Sequence, residues 1–226
     1  MSSKKFPSLD FERELALEHS VRFVIGVDEV GRGAIAGPVA VGAALIDLRD
    51  ASGWPPELCD SKLMSEKARE RNAPLVADWV IASGIGMTSA ERIESDGIVR
   101  ALELSGAQAI EQVLNLVDRA TLVEQGCVVL LDGSHNWLRA ASFGLPTVTR
   151  PKADQDCVSV ACASVLAKVE RDRHMRGLDV IHPGFGFASN KGYAAAAHIE
   201  QLRASGPSVE HRHSWLTKIL GQEDNA

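Results

Sequence analysis

The sequence predicts an α/β protein built on a mixed sheet, part antiparallel and part parallel. Two observations carry that reading. Strand-length apolar runs come first along the chain, and later ones alternate with long stretches of helical periodicity. At 226 residues and 45% hydrophobic content, the chain has enough apolar material for a sizeable core, either as one large domain or as one domain with a small appendage.

Each element has its own justification. Arg22–Asp28 reads as a strand buried on both faces, because Phe23, Val24, Ile25 and Val27 leave no polar alternation. Strands are also expected at Val39–Ile46 and Val80–Thr88, separated by an insertion that contains Gly53-Trp54-Pro55-Pro56. The insertion ends in DSKLMSEKARERNAPLVADW, where Ser65 followed by helix formers reads as a capped helix. SAERIESDGIVRALELSGAQAIEQVLNLV then carries Ile93, Ile98, Leu102, Ile110, Val113, Leu114 and Val117 at helical spacing, with weak points at Gly97 and Gly106. CVVLLDG is a short buried strand ending on Asp132, and Thr147–Arg150 is another. Asp154 is expected to open a long helix with Val158, Cys162, Val165 and Val169 on one face. Past Gly177 the chain turns Gly- and Pro-rich, and Ala194–Ala204 is a candidate helix. No internal repeat appears, which excludes a solenoid.

Several function classes drop out. No stretch approaches the ~20 apolar residues of a membrane span, and MSSKKFPSLD has no apolar core of a secretory signal, so a cytoplasmic protein is expected. Cys59, Cys127, Cys157 and Cys162 lack CxxC spacing and read as small core residues rather than disulfides or a zinc site. A net charge of −6 argues against a generic nucleic-acid binder. The local distribution differs, however: Arg150, Lys152, Lys168, Arg171, Arg173 and Arg176 cluster, and Lys191, Arg203 and Arg212 follow with His198, His211 and His213. An acidic centre flanked by cations suits a phosphodiester held by basic groups and cut by a carboxylate-bound metal.

That acidic centre is the most informative feature. Asp28 and Glu29 end the first strand and run at once into Gly31-Arg32-Gly33. Neighbouring side chains on a strand point to opposite faces, so the two acids share one site only if the strand ends there. Glycines permit that ending and let a ligand approach the main chain. Asp132 ends a later strand and Asp154 stands at a helix start; if the first and fourth strands are parallel neighbours, Asp28 and Asp132 lie side by side. Singly, Asp132-Gly133 is a turn, Asp154 an N-cap and Glu29 a solvated end. Together with GRG they point to hard-cation or phosphate chemistry.

In this order the motifs resemble one family, the type 2 ribonucleases H known as ribonuclease HII. GVDEVGRGAIAGPV, DSKLMSEKARE, LLDG, KADQDCVSVACASVLAKVERDRHM, HPGFGFASNKGY and HRHSW carry the resemblance from about Phe23 to about Trp215. It implies a ribonuclease H-like mixed five-stranded sheet flanked by helices, with a small C-terminal helical region. By that reading residues 1–20 are a lead segment, 21–180 the catalytic domain, and 181–226 a substrate-binding helical region with a polar tail. The implied activity is endonucleolytic cutting of RNA in RNA–DNA hybrids and of ribonucleotides embedded in duplex DNA, with Mn²⁺ or Mg²⁺, by a monomer.

The resemblance also assigns residues. The four metal-binding acids fall on Asp28, Glu29, Asp132 and Asp154, the last chosen over Asp156 because it lies ten residues ahead of Ser164. Gly31, Arg32 and Gly33 match the backbone sensor of the ribose 2′-OH, and Tyr193 the tyrosine that packs on the next sugar. Lys62, Lys152, Lys168 and Arg171 are expected phosphate contacts. His198 and the His211-Arg212-His213 group are expected to serve structure or phosphate rather than metal, since Mg²⁺ prefers oxygen. Asn190 stands where a His often precedes Lys-Gly-Tyr, Ala194-Ala195 replaces Gly-Thr, and Ser95-Asp96-Gly97 replaces an acidic-Ile-Asn turn. A ribonuclease HIII-like enzyme and a non-catalytic hybrid binder are the rivals; the KGY tyrosine and the intact acids argue against them.

Overall fold

The protein is described by a computed structural model covering residues 6–138 and 143–221. The start MSSKK and the tail beyond Gly221 lie outside the described residues. The chain order is α1 (Asp10–His19), β1 (Phe23–Val30), β2 (Val39–Asp47), a single 3₁₀ turn at Ser61–Leu63, α2 (Glu66–Trp79), β3 (Ala82–Thr88), α3 (Ala90–Asp96), α4 (Ile98–Asn115), α5 (Arg119–Gln125) and β4 (Cys127–Asp132). β5 (Thr147–Arg150), α6 (Ala153–Asp156), α7 (Val158–Ile181), α8 (Phe187–Asn190), α9 (Ala196–Ser205) and α10 (His213–Leu220) complete it.

The sheet has five strands in the order β3-β2-β1-β4-β5. β1, β2 and β3 form an antiparallel meander, while β4 and β5 add in parallel on the other side of β1. Strand neighbours split the core by parity: Val24, Ala44, Val128 and Leu130 face α7, whereas Ile25, Val27, Val41, Val129 and Leu131 face α4. Close approach of α7 depends on missing side chains, since a Cβ at Gly26 would stand 2.2 Å from the Ser159 carbonyl carbon and one at Gly42 2.3 Å from the Ala163 oxygen. Burying a Val or Leu on either face contributes about 1.5–3 kcal/mol, so two such layers dominate the stability of the sheet.

Differences from the sequence reading have local causes. β3 begins at Ala82 rather than Val80, because the Val80 N–H still closes α2 on the Val76 carbonyl. Of the two weak points expected in the helical stretch, Gly97 divides it into α3 and α4 with a φ of 81°, while Gly106 stays inside α4 and makes room for Leu138 and Trp137. Nor does Asp154 open the long helix. It sits in the four-residue α6, and α7 starts at Val158 after an extended Cys157 that pairs with Ser8. All four cysteines are buried and free. Among the described residues no helix is long and apolar enough to cross a membrane.

α1 lies within the stretch that the sequence reading treats only as a lead segment. It docks through Leu15 and the fully buried Glu12, whose Oε1 accepts from the Ser159 N–H (2.9 Å) and hydroxyl (3.0 Å) at the start of α7.

The C-terminal elements pack around Met175, Leu178, Phe185, Phe187, Leu202 and Leu216, and this cluster also takes in Ile35 and Ala36 from the β1–β2 loop. Within it His198 and His211 form a directed chain. The Ser208 N–H donates to Nδ1 of His211 (2.9 Å), so the His211 proton sits on Nε2 and is given to Nε2 of His198 (3.0 Å). The His198 proton on Nδ1 then goes to the Tyr193 carbonyl (2.8 Å). Both rings are therefore neutral in the folded protein.

Burial, then the neighbouring His198, pushes His211 down to about 4 from its usual 6.5. A depressed histidine stabilises the fold above pH ~6.5 and loses that contribution as pH falls toward 4. Glu12, pushed up to about 7 by burial, acts in the opposite sense over the same range. The parent-minus-variant difference is therefore the quantity to read. Melting from pH 7.5 to 4.5 should show the parent losing about 1–2 kcal/mol by pH 5 relative to His211→Gln, which is a shift of a few degrees. Parallel curves for the two proteins would show that His211 does not carry this dependence.

Candidate active site

Parallel pairing of β1 with β4 runs from Phe23↔Cys127 to Val27↔Leu131, which leaves Asp28 and Asp132 as the next residues on adjacent strands. β1 nevertheless continues to Val30 on its β2 side, with Asp28↔Gly42 and Glu29↔Val41 still paired. The sequence reading ends the strand at the two acids, whereas the structure carries it two residues past Asp28. By parity Asp28 lies on the α7 side with Asp132, and Glu29 emerges on the α4 side. The acids straddle the end of the sheet, and their charges still interact across it: Glu29, Asp132 and Asp154 all raise Asp28.

Asp28 is 2% exposed and is held well above the usual carboxylate range, chiefly by burial. Its Oδ1 accepts the Glu29 N–H (2.8 Å), and the Ser164 hydroxyl, itself 2.8 Å from that of Ser61, partly offsets the burial. Burial also raises Glu29, opposed by the Arg32 guanidinium at 3.2 Å. Asp132 is raised by burial and then by Asp154, against the Ala153 N–H donating to its Oδ1 at 2.7 Å. Asp154 is 2% exposed and receives the Lys62 ammonium at 2.9 Å. Burial disfavours that ammonium, but the hydrogen bond and charge of Asp154, with Asp28 and Asp60 behind it, outweigh burial and raise it.

Sequence-predicted residues divide into those gathered here and those held elsewhere. Asp28, Glu29, Asp132, Asp154 and Lys62 converge, while Asp156 turns to Arg150 at 3.0 Å. Gly31 is buried with a φ of 80°, whereas Arg32 and Gly33 are exposed beside it. Tyr193 is 41% exposed, with the Arg171 guanidinium carbon 5.8 Å from its ring centre. Asn190 builds the turn before it, donating to the Phe185 carbonyl (2.6 Å) and accepting from the Gly192 N–H (2.8 Å). Lys152 is exposed. Two expected phosphate contacts are corrected. Arg171 is fully buried and donates to main-chain carbonyls, and Lys168 is half-buried and paired with Asp172. Sequence reasoning missed Ser164 as the partner of Asp28; the available signal was a serine on an otherwise apolar helix face.

Among the described residues no three His, Cys, Asp or Glu side chains already form a closed metal cage. The donor set still fits a hard divalent cation. Oδ2 of Asp28 and Oε2 of Glu29 are buried oxygens without any hydrogen-bond partner, which is costly for a carboxylate unless a cation completes it.

The profile of the family described as Ribonuclease HII matches residues 25–218. The chain is 41% identical over 209 residues to ribonuclease HII of Streptomyces coelicolor, covering 92% of this chain and 83% of that one. With ribonuclease HII of Paracoccus denitrificans it shares 39% identity over 218 residues, covering 94% and 95%. The fold is that of ribonuclease H2 from Pyrococcus horikoshii, at 21% identity and a TM-score of 0.67 over 90% of this chain and all of that one. Bst-RNase HIII in complex with Mn²⁺ also has a TM-score of 0.67, at 22% identity, covering 85% and 66%. By sequence and fold together, this chain belongs to the ribonuclease HII family, endonucleases that hydrolyse the RNA of RNA–DNA hybrids.

Proposed function

We propose that the protein cuts on the 5′ side of ribonucleotides embedded in duplex DNA, as well as within RNA–DNA hybrids, leaving 5′-phosphate and 3′-hydroxyl ends. The observation that carries this reading is the unsatisfied pair of buried oxygens on Asp28 and Glu29, set beside Asp132 and Asp154. Two divalent ions, Mn²⁺ or Mg²⁺, would be held by Asp28, Glu29, Asp132 and Asp154 and would supply Lewis-acid charge and an ionised water for in-line displacement at phosphorus.

The chain's own groups have distinct tasks in this reading. Asp28 and Glu29 supply open oxygens, and the Ala153 N–H orients Asp132. Lys62 neutralises Asp154 while its side chain is 67% exposed, so its ammonium can reach a phosphate at the rim. Lys152 offers a second exposed cation. Substrate choice requires sensing a 2′-OH, the group that separates ribose from deoxyribose. Main-chain groups of Gly31, Arg32 and Gly33 suit that task because Gly33 has open space where a side chain would stand. The half-exposed ring of Tyr193 suits packing on the following deoxyribose. The deciding experiment offers duplex DNA containing one ribonucleotide, with Mg²⁺ or Mn²⁺, and maps the cut.

Asp28→Asn and Asp132→Asn should nearly abolish cleavage while melting at or above the parent temperature. Both acids are raised in the fold, so their ionised forms destabilise it at neutral pH, and each 1 kcal/mol relieved is worth roughly 2–4 °C. Full activity in Asp132→Asn would remove it from the site. Asp154→Asn should cost far more activity than Asp156→Asn, and the reverse ranking would exchange their roles.

Tyr193→Ala should slow cutting at a single ribonucleotide by roughly ten- to a hundredfold, the scale of about 1–3 kcal/mol of stacking, and Tyr193→Phe by less. An alanine variant as fast as the parent would reduce Tyr193 to a structural anchor.

A further inference from the structure

Two guanidinium groups lie beneath the 31–38 loop, both 0% exposed and neither in an ion pair among the described residues. Arg212, at the start of α10, donates through Nη1 to the Arg32 carbonyl (2.8 Å) and through Nη2 to those of Gly31 (2.8 Å) and Gly37 (3.1 Å). Arg171, midway along α7, donates through Nε to the Pro38 carbonyl (2.8 Å) and through Nη1 to that of Lys191 (2.9 Å). The second bond ties the turn that carries Tyr193 to the same loop. Main-chain bonds complete the unit: the Ile35 and Ala36 N–H groups reach the Gly192 carbonyl (2.9 and 3.1 Å), and the Arg212 N–H reaches that of Ile35 (2.8 Å). There is no slack, since a Cβ on Gly31 would stand 2.0 Å from Arg171 Nε and one on Gly192 2.3 Å from the Ala36 oxygen.

Burying a guanidinium without a carboxylate is expensive, and apolar side chains would fill the same space at lower cost. What a planar fork supplies is several carbonyls fixed in one geometry. In a trans peptide the C=O of one residue and the N–H of the next point in opposite directions. Pinning the carbonyls of Gly31 and Arg32 inward therefore turns the N–H groups of Arg32 and Gly33 outward, on two exposed residues. Neither N–H is taken by a protein acceptor among the described residues.

We infer that Arg212 is a positioning residue for ribose recognition: from a buried site, without touching substrate, it aims the Arg32 and Gly33 N–H groups at the 2′-OH. This rests on the proposed function, and the test separates the two. Arg212→Lys and Arg212→Ala are compared with the parent and with Val76→Ala, a core change in α2 that controls for lost stability. Binding is measured in EDTA by fluorescence anisotropy, using a duplex with one ribonucleotide and the same duplex as DNA only. Cleavage with Mn²⁺ is measured on the one-ribonucleotide duplex and on a continuous hybrid.

Arg212→Lys should lower the ribose-over-deoxyribose binding preference about tenfold or more. It should reduce kcat/KM about tenfold on the single ribonucleotide but less than about threefold on the hybrid, where neighbouring 2′-OH groups offer other registers. Val76→Ala should leave both ratios unchanged. Should Arg212→Ala fail to fold, the lysine variant decides. A folded lysine variant with parental ratios overturns this inference alone, whereas a parent that cuts neither substrate overturns the proposed function together with it.

Discussion

Asp28 puts a carboxylate where burial alone would neutralise it, and then surrounds it with three more acids. Much of the structure around it works to make that arrangement tolerable. Ser164 on α7 and the Glu29 N–H bind the carboxylate, Arg32 faces Glu29, the Ala153 N–H binds Asp132, and Lys62 reaches across to Asp154. Each acid thus has a partner that fixes its direction, yet Asp28 and Glu29 both keep one buried oxygen with none. A fold selected for stability alone would not keep such a cluster, because each raised acid is a standing cost at neutral pH. The cost is understandable if a divalent cation completes the set.

The topology explains how four separate segments reach that point. β1 is the central strand, so it has a parallel neighbour that brings Asp132 beside Asp28 and an antiparallel neighbour that follows it directly in the chain. That connection is the 31–38 loop, and only two residues separate Glu29 from Arg32. The acids and the main-chain groups that would meet a ribose are therefore fixed relative to each other by a short covalent path. The open variable is the orientation of the loop, and α7 and the C-terminal segment control it from below through Arg171 and Arg212.

The sequence made the strands and the acids legible because their signals are local. An apolar run of fixed length, followed by an acid and a glycine, needs no partner to be read. Arg171 shows what local reading lacks: a cationic residue on a helix looks the same whether it meets phosphate or is sealed against three carbonyls, and the difference lies in the remote loop that covers it. α1 was overlooked for a related reason. Its docking face is little more than Leu15 and the carboxylate of Glu12, and a buried glutamate is invisible to a hydrophobic pattern. The break before α7 likewise depends on Ser8, about 150 residues earlier, pairing with Cys157.

Charge allocation then bears on how a chain of net charge −6 would handle a polyanion. Of the basic residues expected at phosphate, Lys168 and Arg171 are turned inward, and Lys62 is engaged with Asp154. Among the described residues, Lys62, Lys152 and Arg32 are exposed cations near the acids. Sequence-independent affinity for nucleic acid grows with the number of phosphates neutralised, and each basic residue turned inward removes one such contact. Under the proposed function, recognition would draw on geometry as well as on bulk attraction: a loop whose N–H groups face outward, a ring beside it, and acids at a fixed distance from both. Two arginines that give up their charge to carbonyl oxygens, instead of offering it to phosphate, belong to that same choice.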